Sequence, residues 1–167
     1  DLQQAFGTLS WDYMLATLTK FNIPHAYVRW LKLLYTNPTA RAKKGLYISA
    51  PYSVARGTRQ GCLLSPLLFV LAMEPFAQSL RQVAEAWGIS QGTLTHAVSM
   101  YADDMIVYVQ DLEMNLTHIA DLFHLVGQLS GLKVNNAKSY TFSFQECLDC
   151  DSLKFGSQPI SLARQTF

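Results

Sequence analysis

Two adjacent carboxylates, Asp103 and Asp104, interrupt an apolar β-prone run at Tyr101-Ala102-Asp103-Asp104-Met105. Like charges this close, partly desolvated, push one pKa up and cost stability unless a cation neutralises them. Hard divalent ions such as Mg2+ take oxygen ligands of this kind, and Mn2+ can replace it. The other reading is an acidic, solvent-exposed turn, because Asp is common at reversals. Asp1 opens the stretch Asp1-Leu2-Gln3-Gln4-Ala5-Phe6, and a carboxylate at the end of a short β segment can approach the 103–104 pair across a sheet. Three carboxylates can hold two metals about 4 Å apart, the arrangement used for in-line nucleotidyl transfer. One ion would lower the pKa of an attacking 3′-hydroxyl, and both would stabilise the phosphate in transit. A terminal Asp is otherwise only a solubilising charge.

The elements that must position these groups are legible in outline. Residues 97–110 read as two β runs around Asp103-Asp104, with both acids at a tight reversal where Asp tolerates positive φ. Upstream, Trp11, Met14, Leu15, Leu18 and Phe21 fall at helical spacing, with Pro24 just beyond. Val28 to Tyr35 reads as a second helix, stopped before Pro38. Between Thr39 and Val54, two β-prone runs flank Ser49-Ala50-Pro51 and predict a hairpin. Gly57-Thr58-Arg59-Gln60-Gly61 is a polar loop bracketed by glycine. Ser65-Pro66 opens the clearest helix, Ser as the cap and Pro at the first helical position. That helix is predicted to reach about Trp87 and stop at Gly88, with a kink where Pro75 clashes with the Leu71 carbonyl. Leu112, Leu116, Ile119, Phe123 and Val126 form one stripe of a last helix ended by Gly131. A final strand is expected over Tyr140 to Phe144. Mixed helices and hairpins without repeats or linkers predict one α+β unit.

Composition sets bounds on the class. The chain has 167 residues and 18.7 kDa, half of them hydrophobic and 15% charged, enough apolar surface for a core and too few charges for intrinsic disorder. No run of 18 apolar residues occurs, which excludes a membrane-spanning helix. Three cysteines cannot close a disulfide framework, so a reducing compartment is expected. The first residue is Asp1 rather than Met, and a fragment or processed product is expected. Charge is unevenly spread. No acid occurs between Tyr13 and Met73, a stretch holding Lys20, Arg29, Lys32, Arg41, Lys43, Lys44, Arg56 and Arg59, eight of the thirteen basic residues. From Glu74 onward there are ten acids against five bases. An acid-free basic stretch suits a polyanion such as a nucleic-acid backbone, or is simply a solvated face.

Taken together and in order, these pieces resemble the palm of a reverse transcriptase of the LINE-type (non-LTR) retrotransposon family. Asp1-Leu2-Gln3-Gln4-Ala5-Phe6 is similar to the first catalytic motif, Asp-x-x-x-Ala-Phe. The stretch from Gly57 to Phe69, with Gln60-Gly61, is similar to the Gln-Gly motif. Tyr101-Ala102-Asp103-Asp104 matches the aromatic-x-Asp-Asp signature, and Gly131 to Lys138 matches Gly-x-x-x-Asn-x-x-Lys. The resemblance covers the chain to about Phe144. It implies a right-hand polymerase palm over residues 1–144, an antiparallel sheet backed by helices, and a C-terminal extension toward a thumb over 145–167.

The resemblance also implies roles. Asp1, Asp103 and Asp104 would be the catalytic carboxylates and, with the Leu2 carbonyl, the ligands of two Mg2+ ions. Phe6 would lie beneath the incoming sugar and clash with a 2′-hydroxyl, favouring deoxynucleotides; otherwise it is a core aromatic. Gln60 and Gly61 would line the nucleotide pocket, Gly61 because a side chain there would block backbone approach. Arg59 would contact template or phosphate, or is a solvated loop arginine. Tyr101 would sit near the primer end, or in the core. Lys138 would donate a proton to the departing pyrophosphate or contact its charge, or is a surface lysine. Lys43 and Lys44 would be sequence-blind backbone contacts. The implied partners are an RNA template with a DNA primer, deoxynucleoside triphosphates, and the fingers, thumb and endonuclease of a parent polyprotein. No membrane is implied. The implied location is intracellular, in nucleus and cytoplasm as a ribonucleoprotein.

The chain departs from the family pattern at Gly7, where an acid is usual, at Leu63, where Pro is, and at Gln4, where Lys is frequent. None is a metal-ligand position. The basic fingers that hold the triphosphate are missing, so the isolated chain is expected to be inactive or nearly so. Leu153-Lys154-Phe155-Gly156 faintly resembles a primer-grip strand. Cys147 and Cys150 lack the second pair that a zinc site requires, and His25, His96, His118 and His124 form no cluster. The rival readings are an inactive relic or domesticated fragment that binds nucleic acid, and a related polymerase such as an intron maturase or a viral RNA-directed RNA polymerase. Phe6 and Ala102 argue against the viral enzyme.

Overall fold

The structure is a computed structural model that describes residues 1–142 and the segments 154–155, 158–159 and 161–162. The chain starts extended, with Leu2 bridged antiparallel to Val134. Gln3 N–H donates to the Lys133 carbonyl at 2.8 Å and Asn135 N–H to that of Asp1 at 3.0 Å. In such a bridge the middle residue's own carbonyl faces the opposite edge, so the Leu2 carbonyl points away from this pairing. Gln4, at φ 45°, turns the chain into α1 (Ala5–Thr8).

Helix α2 (Trp11–Lys20) begins where the Ser10 hydroxyl accepts from Tyr13 N–H, and it buries Met14, Thr17 and Leu18. Helix α3 (His25–Leu34) starts three residues earlier than its apolar pattern predicts. The reason is Pro24, whose carbonyl accepts from the amides of Tyr27 and Val28. Here Pro opens a helix rather than only ending one. The predicted hairpin forms, but its reversal lies at Gly45-Leu46, not Ser49-Ala50-Pro51. Strand β1 (Thr39–Ala40) must pair with β4 (Tyr52–Ser53) and β2 (Lys43–Lys44) with β3 (Tyr47–Ile48). Gly45 at φ 60° supplies the left-handed residue that the turn requires, and Ser49 belongs to the returning arm, its N–H donating to the Ala42 carbonyl at 2.9 Å.

Helix α4 (Ser65–Trp87) has the predicted ends and carries Pro75 within it. It does not have the predicted cap: the Ser65 hydroxyl is buried without a hydrogen-bond partner, and the first turn is closed by the Leu64 carbonyl accepting from Leu68 N–H. Leu68, Phe69, Ala72, Met73, Phe76 and Leu80 recur at helical spacing and form the centre of the core with Leu9, Met14 and Leu18. A hairpin that the apolar pattern did not announce follows, β5 (Ile89–Gln91) with β6 (Leu94–His96), turned by Gly92 at φ 64°.

Strands β7 (Val98–Tyr101) and β8 (Asp104–Val107) pair antiparallel. Val98, Met100, Met105 and Val107 pack on the core. Helix α5 (Leu112–Ser130) is capped by the Asp111 side chain accepting from Met114 N–H at 3.1 Å, and Gly131 at φ 78° ends it. Leu116 and Ile119 are buried, and Phe123 and Val126 pack against the core. A 3₁₀ turn (Asn136–Lys138) leads to β9 (Tyr140–Thr141), beside which β12 (Ser161–Leu162) runs parallel, after β10 (Lys154–Phe155) and β11 (Gln158–Pro159) pair antiparallel.

The architecture is therefore mixed α and β. Every ladder among the described residues has two strands, so one broad antiparallel sheet is not assembled there; strands this short offer few ladder groups to a third. No helix is long and apolar enough to cross a membrane among the described residues. The Cys147–Cys150 pair and the end of the expected strand at Phe144 lie outside the described residues.

Candidate functional site

The two ends of the motif set meet. An open cleft of about 650 Å³ is lined by Asp1, Leu2, Phe6, Gln60, Asp103 and Lys138, all six of them singled out by the sequence. Three separate backbone features bring them there. The Leu2–Val134 bridge fixes Asp1 beside the 133–138 segment. The Gly57–Gly61 loop is clamped onto α1, with Gly57 N–H donating to the Leu9 carbonyl at 2.8 Å and the Trp11 ring nitrogen donating to the Gly57 carbonyl at 2.7 Å. Gly57 is required twice over, by its φ of 86° and because a Cβ would stand 2.6 Å from the Gly7 carbonyl oxygen. The β7–β8 hairpin presents Asp103.

The carboxylate pair is split at the reversal. The turn residues are Ala102 and Asp103, the left-handed residue is Ala102 at φ 54°, and Asp104 is already in strand, opposite Tyr101. This corrects the expectation that both acids occupy the turn with Asp supplying the positive φ. Asp103 is half-buried on the cleft, while Asp104 is exposed and outside its lining. No three acidic, His or Cys side chains converge closely enough to hold a metal among the described residues. Two carboxylates on one cleft and a sheet-edge carbonyl at Leu2 are hard oxygen donors, the ligand type that a divalent ion such as Mg2+ takes.

Around the carboxylates the cleft is basic. Lys138 Nζ lies 3.8 Å from the Asp1 carboxylate, with the lysine 71% exposed and the aspartate 23%. Arg56, Lys133 and Asn135 also line it. Sequence reasoning placed Arg56 only in the basic run, and passed over Lys133 and Asn135 inside the motif around Gly131. No local signal marked the last two, which reach the cleft because residues 133–135 pair with residues 1–3. Phe6 stacks on Phe69 of α4, centroids 4.5 Å apart at 25°, so it is both a core aromatic and a wall of the cleft.

The other expected residues stand apart. Gly61 has open space where a Cβ would go, and its φ of 81° is what demands glycine. Arg59 is exposed outside the lining, and Tyr101 is 85% exposed on the outer face of β7, not in the core. Lys43 and Lys44 lie on the β2–β3 hairpin, both exposed. Next to Gly61, the exposed thiol of Cys62 is held below the usual range, mainly by the Leu64 backbone N–H, with Ser65 and Arg59 adding to it.

The cleft thus combines basic side chains with two carboxylates, Asp1 beside the Leu2–Val134 bridge and Asp103 at the β7–β8 turn. A model of the family described as reverse transcriptase (RNA-dependent DNA polymerase) matches residues 1–160, and the chain belongs to that family. It is 31% identical over 83% of its length to the uncharacterized 149 kDa protein of transposon TX1 from Xenopus laevis. It is 27% identical over 99% of its length to the retrovirus-related Pol polyprotein of the type-2 retrotransposable element R2DM from Drosophila melanogaster. A Pol polyprotein of the type-1 element R2 from Nasonia vitripennis is 29% identical over 68% of the chain. The chain spans 11% to 16% of the length of these relatives. These names place it among the reverse transcriptase regions of non-LTR elements.

Proposed function

We propose that this chain is the palm-bearing core of an RNA-directed DNA polymerase that extends a DNA primer on an RNA template with deoxynucleoside triphosphates. The observation that carries the reading is the shared cleft of Asp1 and Asp103, residues a hundred positions apart, in a chain of this family. Asp1, Asp103 and the Leu2 carbonyl would hold divalent metal, with Asp104 the outlying third carboxylate. When bound, the metal supplies charge neutralisation at the reacting phosphate and a more acidic primer hydroxyl.

The side chains of the cleft do the rest. Phe6, backed by Phe69, would give the sugar of the incoming nucleotide a flat apolar wall that clashes with a 2′-hydroxyl. Gln60 borders the same space, and the open face of Gly61 lets backbone approach the nucleotide. Arg56 and Lys133 offset the triphosphate charge. Lys138, held near Asp1, gives a proton to the leaving pyrophosphate oxygen or pairs with its charge. Tyr101 and Arg59, exposed beyond the rim, contact primer and template. The other parts of a polyprotein would surround this core.

Primer extension on poly(rA)/oligo(dT), by the chain alone and by the whole open reading frame that encodes it, tests the reading. The chain alone is expected to incorporate little or no deoxythymidine, and incorporation by the whole-frame protein is expected to fall about a thousandfold on Asp103→Asn, since a ligand of the reacting centre is worth several kcal/mol. No incorporation by either protein under Mg2+ or Mn2+ would leave a relic that at most binds nucleic acid. Equal use of ribonucleotides would refute the role of Phe6.

A further inference from the structure

Cys62 stands at the foot of α4, outside the lining of the cleft. Residues 59–64 are all exposed, and Cys62 is a free thiol among them. A tight turn leads from it into the helix: Cys62 N–H donates to the Arg59 carbonyl at 3.3 Å, and Ser65 N–H to the Cys62 carbonyl at 3.2 Å. The turn folds Ser65 back onto Cys62. Ser65 is 2% exposed and its hydroxyl has no hydrogen-bond partner, a costly state for a buried donor. That hydroxyl lies beside the Cys62 sulfur, and rotation about its C–O bond lets it donate to a thiolate there. The Leu64 N–H favours a charged sulfur most, with the Ser65 hydroxyl, the Ser65 N–H and the Arg59 guanidinium adding to it. From the end of α3, Tyr35 adjoins the same sulfur. Burial, and then the Cys62 charge, push its hydroxyl above the usual range, so it stands there as a neutral phenol. No acid occurs between Tyr13 and Met73. The turn is therefore a set of donors gathered around one sulfur that remains open to reagents.

We infer that Cys62 is a modification site, at which the sulfur exchanges reversibly with a small anionic disulfide. The Cys62 thiolate attacks one sulfur of that disulfide. The disulfide's S–S bond breaks, and its electron pair leaves on the other half as a thiolate, which takes up the proton that Cys62 gave to solvent. Cys62 is oxidised to a mixed disulfide while the released half is reduced, so no further oxidant is needed. The buried Ser65 hydroxyl serves both directions. It steadies the same sulfur as nucleophile and, when a small thiol reverses the step, as leaving group. Arg59 sets the class of reagent, since a guanidinium beside an exposed sulfur draws in carboxylates in preference to a neutral molecule.

The test compares Cys62 in the folded chain with the same cysteine in the urea-unfolded chain near neutral pH. Oxidised glutathione is the anionic probe and hydroxyethyl disulfide the neutral one. Peptide mapping by mass spectrometry separates the Cys62 adduct from any at Cys147 or Cys150. The folded chain is expected to form the glutathione adduct about 5-fold or more faster than the unfolded chain, with a smaller gain for the neutral probe. Dithiothreitol should remove the adduct, and Cys62→Ser should prevent it. Ser65→Ala is expected to slow the folded reaction about 3-fold or more while Tm holds or rises, because a buried hydroxyl without a partner adds no stability. Arg59→Gln, an exposed change that leaves the fold intact, narrows the gap between the two probes, and Arg59→Lys keeps it. A folded rate no greater than the unfolded one overturns the inference, as does an unchanged rate in Ser65→Ala. Equal acceleration with both disulfides, or a gap indifferent to Arg59, overturns the anionic class.

Discussion

Asp1 and Asp103 are held by backbone drawn from several distant stretches of chain, whereas the basic hairpin rests on a ladder between neighbours. The first arrangement uses the Leu2–Val134 bridge, the Gly57–Gly7 approach and the β7–β8 turn, so it exists only when the core does. The second has every residue from Arg41 to Ser53 exposed and is free to open locally at little cost to the rest. The carboxylates that the proposed chemistry would use therefore lie on the cooperative part.

The comparison is broken most strongly at the centre of the core. Phe76 is 2% exposed and meets the Phe123 ring edge-on at 4.7 Å. Phe76→Ala is expected to cost about 3–5 kcal/mol, read as a lower Tm, whereas Leu46→Ser at the hairpin tip should stay within about 0.5 kcal/mol. Equal shifts would mean that the hairpin is part of the cooperative unit. Next comes Gly57→Ala, which adds a Cβ against the Gly7 backbone at a positive φ. A loss of about 2–4 kcal/mol is expected in urea unfolding. Gly61→Ala, strained in φ but with open space, should lose only about 1–2 kcal/mol.

Lys138→Ala should change stability by no more than about 0.5 kcal/mol, because the pair with Asp1 is long and the lysine is mostly exposed. Incorporation should nonetheless fall about 100-fold, as for loss of a general acid. The smallest effect concerns Cys62, whose thiol is depressed chiefly by the Leu64 N–H. A depressed thiol is ionised at lower pH, so alkylation by iodoacetamide should rise with pH through a midpoint below that of the same cysteine in the urea-unfolded chain. Coincident midpoints would remove the proposed hydrogen bond.

Periodicity made α2, α4 and α5 readable because each buries one stripe, and Gly131 marked a helix end that the structure keeps. Reversals were harder to read. Asp-Asp and Ser-Ala-Pro both look like turn chemistry, yet the chain turns at Ala102-Asp103 and at Gly45-Leu46, where cross-strand register decides. The β5–β6 hairpin escaped notice for the same reason, since Gly92 was its main local mark. Ser65 illustrates a further limit: its type predicts a cap, but its hydroxyl is buried beside the Cys62 thiol and caps none of the free amides of α4. At the cleft, residue type singled out Asp1 and Asp103 and the family resemblance singled out Leu2, Phe6, Gln60 and Lys138, while Lys133 and Asn135 join the lining through the pairing of residues 1–3 with 133–135, and Arg56 through the loop that Gly57 and Thr58 tie to residues 6–9. That pairing is a long-range contact, which local sequence does not encode.

Paramagnetic broadening by Mn2+ in the isotopically labelled chain tests the shared cleft most directly. Amide resonances of Leu2 and Gln3 should broaden at the same substoichiometric Mn2+ as those of Asp103 and Asp104, and Asp103→Asn should abolish both effects together. Broadening confined to one of the two segments, or surviving at Leu2 in the Asp103→Asn variant, would show that the two carboxylates do not serve one ion.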